Sequence, residues 1–347
     1  MLGIHQTYMD RCIQLAKLGI GNVSPNPLVG CVIVHDDIII GEGFHKQYGG
    51  SHAEVHAIES VTNESLLPQS TLYVNLEPCA HWGKTPPCAD LIIKKGIRKV
   101  IIGCVDTFSK VSGKGIERMR DAGIEVEVGI REEECRELNR RFFTFHEQKR
   151  PYVILKWAQT RDGFIDMSPQ HKTTSKGVWI TNEICKKIVH KWRTEEDAIM
   201  VGTNTALMDN PHLTAREYPG RNPVRIVIDK QLKLPNNLHV FDNESRTIVI
   251  TQNDETKTDT NVEYVSLKII HCKSILEVLY QYSLQSVIIE GGTKLLQSFI
   301  DENLWDEARI FTGEMTFGEG VSAPTIRAKN SNTQTFGDTL LTFIHNY

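Results

Sequence analysis

The chain has 347 residues, 40% of them hydrophobic and 24% charged, with a formal net charge of −4. That length suits two domains better than one core, and the acidic balance opposes a protein that coats nucleic acid. No stretch approaches membrane-span length, and Met1 to Gln6 lacks the basic-then-apolar order of a secretory leader. Eight scattered cysteines, Cys12, Cys31, Cys79, Cys88, Cys104, Cys135, Cys185 and Cys272, fit a reducing, cytoplasmic compartment.

Residues 5–18 read as a helix with Tyr8, Cys12, Leu15 and Ala16 on one stripe. A Gly/Asn/Pro-rich loop, 19–27, leads into strands 29–34 and 38–43, a hairpin across His35-Asp36-Asp37. Then come helix 52–60, strand 71–76, helix 88–95, strand 99–103, helix 113–122, strand 124–128 and a charged helix, 131–146. This order predicts a mixed sheet with helices packed on it. Pro151 disfavours helix at Arg150, so the domains are expected at 1–147 and 148–347. The second half reads as strand 152–156, helix 181–192, and strands 198–202, 224–229 and 247–250. A polar excursion, 251–261, precedes helix 274–282, strand 286–290 and helix 293–300, the last entered through Gly291-Gly292. Alternating strands and helices again imply α/β, and no repeat relates the halves.

The most informative chemistry lies between His52 and Cys88. His52-Ala53-Glu54, Pro78-Cys79 and Pro87-Cys88 supply one imidazole, two thiols and one carboxylate. An imidazole and two thiolates hold zinc and leave its fourth position to water, whose pKa the metal lowers. Each ligand is expected near a helix N-terminus, which favours thiolate over thiol. Glu54 is placed to move protons between that water, a ring nitrogen and a departing amine. His-x-Glu with Pro-Cys is the signature of zinc nucleobase deaminases, but eight residues separate Cys79 from Cys88 where two are usual. Two alternatives stay open on the residues alone. His52 and His56, four apart, could be the metal pair, or His81 could complete a closed structural site.

Residues 5–146 resemble the deaminase half of the bifunctional riboflavin biosynthesis proteins. The resemblance rests on the segments 25–34, 41–45 and 52–57, and on the long run Leu76 to Asp90 with its insertion between the cysteines. It implies a cytidine-deaminase-like three-layer α/β domain that removes the 2-amino group of 2,5-diamino-6-ribosylamino-4(3H)-pyrimidinone 5′-phosphate. It makes His52, Cys79 and Cys88 the Zn2+ ligands and Glu54 the proton carrier. It also places Asn26 and His45 on the substrate, and His81 and Lys84 towards its ribose phosphate. Thr107 to Lys110 departs from the family's usual Pro-Asn-Pro segment.

About residues 151–328 resemble the reductase half of the same proteins, through Lys156-Trp157-Ala158, Trp179-Ile180-Thr181, 197–202, 209–216 and Glu290-Gly291-Gly292. The implied fold is dihydrofolate-reductase-like, and the implied reaction is NADPH-dependent reduction of the ribosyl group to ribityl. The absence of Gly-x-Gly-x-x-Gly agrees in disfavouring a Rossmann domain. The resemblance suggests Lys156, Trp179, Arg193, Asn210, Leu213, Arg216 and Glu290 for substrate. For cofactor it suggests Ala158, Thr181, Gly202, Thr205, Asp209, Gly291 and Gly292. Asn210 stands where many members carry an aspartate. The partners expected are small phosphorylated pyrimidines, and the resemblance allows self-association with a second copy of the chain, with no nucleic acid and no membrane.

Overall fold

The computed structural model describes residues 2–82, 86–107, 112–168, 178–254, 261–327 and 330–346. Lys84, the loop beyond Thr107 and most of the 251–261 excursion lie outside the described residues. The chain divides into two compact units, Met1–Lys149 and Arg150–Tyr347.

The first unit runs α1 (Leu2–Lys17), β1 (Gly30–His35), β2 (Ile38–Phe44), α2 (Ala53–Glu59), β3 (Thr71–Leu76) and α3 (Cys88–Lys94). It continues with β4 (Lys99–Cys104), α4 (Lys114–Asp121), β5 (Glu125–Val128), α5 (Glu132–Leu138) and α6 (Arg140–Gln148). The sheet order is β2-β1-β3-β4-β5, antiparallel at β1 and parallel from β3 to β5. Alternation along the strands divides the core. Cys31, Ile33, Leu72, Val74, Val100 and Ile102 face the helices α2, α3 and α4. Val32, Val34, Tyr73 and Ile101 face α1, α5 and α6, which makes the three expected layers. Asp36 and Asp37 both have positive φ, 48° and 60°, as a two-residue hairpin turn needs to match strand twist.

Two features of this unit place the site. A Cβ on Gly43 would lie 2.4 Å from the Ala53 carbonyl and the Ala57 amide nitrogen, so the α2 backbone rests directly on β2. The helix expected over 131–146 is in fact two, broken at Asn139. The Asn139 amide instead holds Leu28, accepting from its N–H at 2.7 Å and donating to its carbonyl at 2.9 Å. Asn75 on β3 accepts from Gly30 N–H at 2.7 Å and donates to the same Leu28 carbonyl at 3.0 Å. The loop bearing Asn26 is thereby fixed to the sheet.

The second unit contains β6 (Tyr152–Gln159), β7 (Phe164–Met167), α7 (Glu183–Glu195), β8 (Ala198–Gly202), α8 (Thr203–Asp209) and β9 (Val224–Ile228). Next are β10 (Thr247–Thr251), β11 (Val262–Ser266), α9 (Cys272–Gln281), β12 (Ser286–Glu290), α10 (Thr293–Asp301) and β13 (Glu307–Thr312). Short β14 (Gly320–Ser322) pairs with β7, and β15 (Asn330–Phe336) and β16 (Thr339–His345) end the chain. The nine-stranded order is β11-β10-β9-β8-β12-β6-β13-β16-β15. It is parallel from β11 to β13, with β16 and β15 antiparallel at one edge. Helices α9 and α10 cover one face and α7 the other, so the central strands are apolar on both sides. The chain moves outward from β8 to β11 and then returns to insert β12 between β8 and β6. That reversal opens a crevice beyond the carboxyl ends of β6, β12 and β8, the usual ligand position in an open parallel sheet. No helix among the described residues is long and apolar enough to cross a membrane.

Candidate active sites

In the first unit the chain brings His52, Cys79 and Cys88 together from three segments. His52 caps the N-terminus of α2, and Cys88 is the first residue of α3. Cys79 follows β3 on a loop and comes near a helix N-terminus through space rather than by opening a helix. Its sulfur faces the start of α3 and accepts from Cys88 N–H at 3.3 Å. His52 Nδ1 lies 3.3 Å from Cys88 Sγ and 3.5 Å from Cys79 Sγ, and all three donors fall within 4.8 Å of one another. Tetrahedral zinc with ordinary Zn–N and Zn–S bonds needs nitrogen–sulfur separations of about 3.5 Å, so these residues fit that ion. The donors from Cys88 and from His52 hold the Cys79 thiol well below its ordinary pKa. Contact with Cys79, together with burial, drives the Cys88 thiol upward. His56 and His81 are outside this cluster, and His56 instead faces Glu59 at 4.0 Å.

Glu54 is 3% exposed. Burial raises its carboxyl above the usual range, opposed by His52. A carboxyl with a raised pKa is better suited to taking a proton and returning it. His45, also buried, forms an edge-on contact with the His52 ring. Its Nδ1 meets the Ser51 carbonyl at 2.9 Å, and its Nε2 meets Asn26 Nδ2 at 3.0 Å. That pairing assigns the proton to Nδ1, and burial keeps the ring neutral. Asn26 and His45 therefore line the centre as one bonded pair. His81 is half-buried two residues beyond Cys79.

Glu77, two residues before Cys79, is a feature the sequence reading quoted without assigning a role. Its Oε1 accepts from Gly115 N–H at 2.9 Å and Ile116 N–H at 3.3 Å. Its Oε2 accepts from Gly113 N–H at 2.9 Å and Asp106 N–H at 3.3 Å. A Cβ on Gly115 would lie 2.0 Å from the Pro78 carbonyl, so the Cys79 loop and the start of α4 are in backbone contact.

In the second unit Lys156 and Glu290 are register partners at the carboxyl ends of β6 and β12. Lys156 Nζ lies 3.8 Å from Glu290 Oε1, and Arg193 Nη2 lies 3.2 Å from Oε2. Arg193 also donates to the Thr214 carbonyl at 3.1 Å. Burial lowers the Lys156 pKa, whereas the two cations hold Glu290 below the usual range despite its own burial. His190, on α7, is 2% exposed; burial, then Arg193 and Arg216, lowers its pKa to about 4. Gly202 ends β8, and Gly292 N–H donates to Thr205 Oγ1 at 3.1 Å, bringing the candidate cofactor residues Gly202, Thr205, Gly291 and Gly292 to one side of the crevice. Gly291 has φ 125°, where a side chain would be strained and would meet Thr205. Ala158 lies on β6. Trp179 and Thr181 flank Ile180, whose carbonyl abuts Gly313 just past β13. Asn210 caps α8 in the left-handed region, and its Oδ1 accepts from His239 N–H at 2.8 Å. Leu213 is 1% exposed and packs in the core, so only its backbone can face a ligand. Asp209 and Arg216 are exposed.

Comparison with known proteins now bears on both units. Residues 3–104 match the cytidine and deoxycytidylate deaminase zinc-binding region, and residues 151–343 match the RibD C-terminal domain. The riboflavin biosynthesis protein RibD of Aquifex aeolicus is 39% identical over 359 aligned positions, covering 99% of each chain. The chain belongs to the RibD family of bifunctional riboflavin biosynthesis deaminase/reductases. Its structure is similar to that of a diaminohydroxyphosphoribosylaminopyrimidine deaminase/5-amino-6-(5-phosphoribosylamino)uracil reductase from Thermotoga maritima. That match has a TM-score of 0.89 and 40% identity, and covers 99% of each chain. Acinetobacter baumannii RibD gives 0.88 and 32%, with the same coverage. The first unit is thus cytidine-deaminase-like and the second is a RibD reductase domain of dihydrofolate-reductase type, as the sequence implied.

Sequence reading missed Glu77, Asn75, Asn139 and His190. The first three are polar residues beside motifs, and their partners lie far along the chain. His190 offered no signal beyond a lone histidine on an amphipathic helix.

Proposed function

We propose that residues 1–147 deaminate 2,5-diamino-6-ribosylamino-4(3H)-pyrimidinone 5′-phosphate and that residues 148–347 reduce the resulting 5-amino-6-(5-phosphoribosylamino)uracil to its ribitylamino form. The observation that carries the first half is the His52/Cys79/Cys88 cluster beside buried Glu54. When bound there, zinc would supply the Lewis acidity that makes water a nucleophile at neutral pH. Glu54 takes the proton from the attacking water and gives it to the ring nitrogen, then takes the second proton from the added hydroxyl, which becomes the carbonyl, and delivers it to the departing amine. The fixed Asn26–His45 pair orients the pyrimidine, and His81 and Lys84 meet the ribose phosphate.

For the second half, the Gly202–Thr205 and Gly291–Gly292 turns would hold NADPH, with Ala158, Thr181 and Asp209 around it. Small residues there allow a nucleotide close approach to the backbone. The cofactor would supply hydride to C1′ of the sugar once its bond to the ring oxygen opens, that oxygen taking a proton. Lys156, Arg193 and Arg216 offer cationic donors for a phosphate, and Glu290 an acceptor for sugar hydroxyls. Trp179, Asn210 and the Leu213 backbone complete the substrate side. The protein chiefly positions the carbon for transfer.

The test is a coupled assay of zinc-loaded protein on the diamino substrate, following ammonia and product mass with and without NADPH. Ammonia without NADPH, then a two-hydrogen mass gain with it, is the expected result. No ammonia would overturn the deaminase assignment, and ammonia without the gain would overturn the reductase assignment.

A further inference from the structure

Helix α7 carries Lys186, His190 and Arg193 at spacings of four and three residues, so they share one stripe. Arg193 belongs to the cluster with Glu290. Lys186, two turns earlier, has no part in that cluster and yet is held on three sides. Its Nζ lies 2.7 Å from Glu217 Oε1, 3.7 Å from Glu183 Oε2 and 5.5 Å from the centroid of the Trp179 ring, within cation–π range. The Lys186 side chain is 23% exposed and that of Glu217 28%, so solvent and salt screen this pair less than an open surface contact.

Glu217 directly follows Arg216, the exposed candidate donor for the substrate phosphate. The two are the central residues of a turn, which the Tyr218 N–H closes on the Ala215 carbonyl at 3.0 Å. The Ala215 N–H donates to Asn222 Oδ1 at 2.9 Å, and the Thr214 carbonyl accepts from Arg193 at 3.1 Å, so the backbone of the turn is fixed on both sides. A carboxylate is thereby kept beside a guanidinium that has to meet an anion. Unpaired, it would neutralise Arg216 and repel a phosphate. Lys186 pairs with it instead and holds the Glu217 carboxyl below its usual range. His190, 4.0 Å from the same oxygen, is buried and neutral beside Arg193 and Arg216, so it brings no charge to Glu217.

We propose, on the reading that Arg216 meets the substrate phosphate, that Lys186 is a positioning residue of the reductase: it occupies Glu217, so that Arg216 keeps its charge for the phosphate. The same ammonium lies over Trp179, another residue assigned to the substrate side, so one side chain steadies both. Arginine can take over this role, because its planar guanidinium both pairs with a carboxylate and stacks on an indole. Methionine keeps an apolar stem against the ring and removes only the charge.

The experiment is steady-state reduction of 5-amino-6-(5-phosphoribosylamino)uracil by the full-length protein at saturating NADPH. Lys186→Met should raise KM about tenfold, the effect of one uncompensated charge near the phosphate donor, and leave kcat within about twofold of wild type. Lys186→Met combined with Glu217→Gln should bring KM back to near wild type, because the released carboxylate is gone. Lys186→Arg should keep the wild-type KM. A helix merely loosened by the loss of Lys186 would not be repaired by removing Glu217. A raised KM that the second substitution fails to restore therefore overturns the proposal. So does an unchanged KM in Lys186→Met beside a raised KM in Arg216→Gln. An unchanged KM in Arg216→Gln would instead remove Arg216 from phosphate binding, and with it the reading that gives Lys186 its role.

Discussion

Replacing Glu77 by glutamine should weaken zinc binding although Glu77 touches no metal. Its carboxylate accepts four backbone N–H groups, two through each oxygen, and each oxygen has one bond of 2.9 Å and one of 3.3 Å. Glutamine keeps one oxygen and turns an NH2 against the other pair, leaving two N–H groups facing a donor. A hydrogen bond to a charged group contributes about 1.5–3 kcal/mol, and a buried donor left unpaired adds to that loss. Losing one short bond and weakening another should cost the first unit about 2–4 kcal/mol. Because Pro78 and Cys79 follow directly, part of that loss appears as displacement of a ligand. Outer-shell substitutions weaken metals by about 10–100-fold, and the same range is expected here.

The assay is competition for zinc against a chelator of known affinity, beside a thermal melt and ammonia release at saturating zinc. Excess zinc should restore most of the activity. Gly115→Ala provides a second arm without any change of charge, since its Cβ would enter the space of the Pro78 carbonyl. It should weaken zinc in the same direction. A Glu77→Gln protein that melts earlier yet binds zinc as tightly as wild type would refute the reasoning, because the carboxylate would then be a helix cap unconnected to the ligand loop.

The remaining predictions concern charge and protons. Glu54→Gln should keep its zinc, measured by metal analysis, and lose about 100- to 10,000-fold in ammonia release; full activity would remove Glu54 from proton transfer. Glu290→Gln strands Lys156 and Arg193 as buried cations, so reduction should fail and the second unit should lose about 3 kcal/mol or more, read by a melt. Ammonia release, from the other unit, should persist. His190, with its folded pKa lowered to about 4 from 6.5, is neutral in the fold and gains a proton more readily on unfolding. Its contribution is therefore complete above pH 6.5 and is lost as pH falls towards 4. Glu217, 4.0 Å away, is already part of that balance, and a shift of this size corresponds to about 3 kcal/mol across that window. A denaturation series should show the slope in wild type and a shallower one in His190→Gln.

The difference between the two halves in how readily they read from sequence has a physical cause. In the first unit the chemistry is local. Strand β3 ends at Leu76, the Pro78-Cys79 turn follows at once, and Pro87-Cys88 starts the next helix, so a short run of sequence specifies two ligands and the elements that hold them. What that run did not reveal was its support. Glu77 bonds Asp106, Gly113, Gly115 and Ile116, and Asn139, at the join of two helices, holds Leu28 more than a hundred residues away. A charged periodic stretch such as 131–146 reads as one helix because periodicity reports which face is apolar, not which side chain leaves the ladder. In the second unit five parallel strands were legible from apolar runs such as Ser286–Glu290, but β11, β13 and the antiparallel edge were not. Strand β15 has the sequence NSNTQTF and forms by pairing with β16, without an apolar face of its own. The reductase cluster is assembled in the same non-local way: Lys156, Arg193 and Glu290 come from β6, α7 and β12 and meet only because β12 inserts between β8 and β6. Sequence spacing carries no trace of that insertion, so the family resemblance alone singled out these charges, and the sheet order is what turns three of them into one buried site.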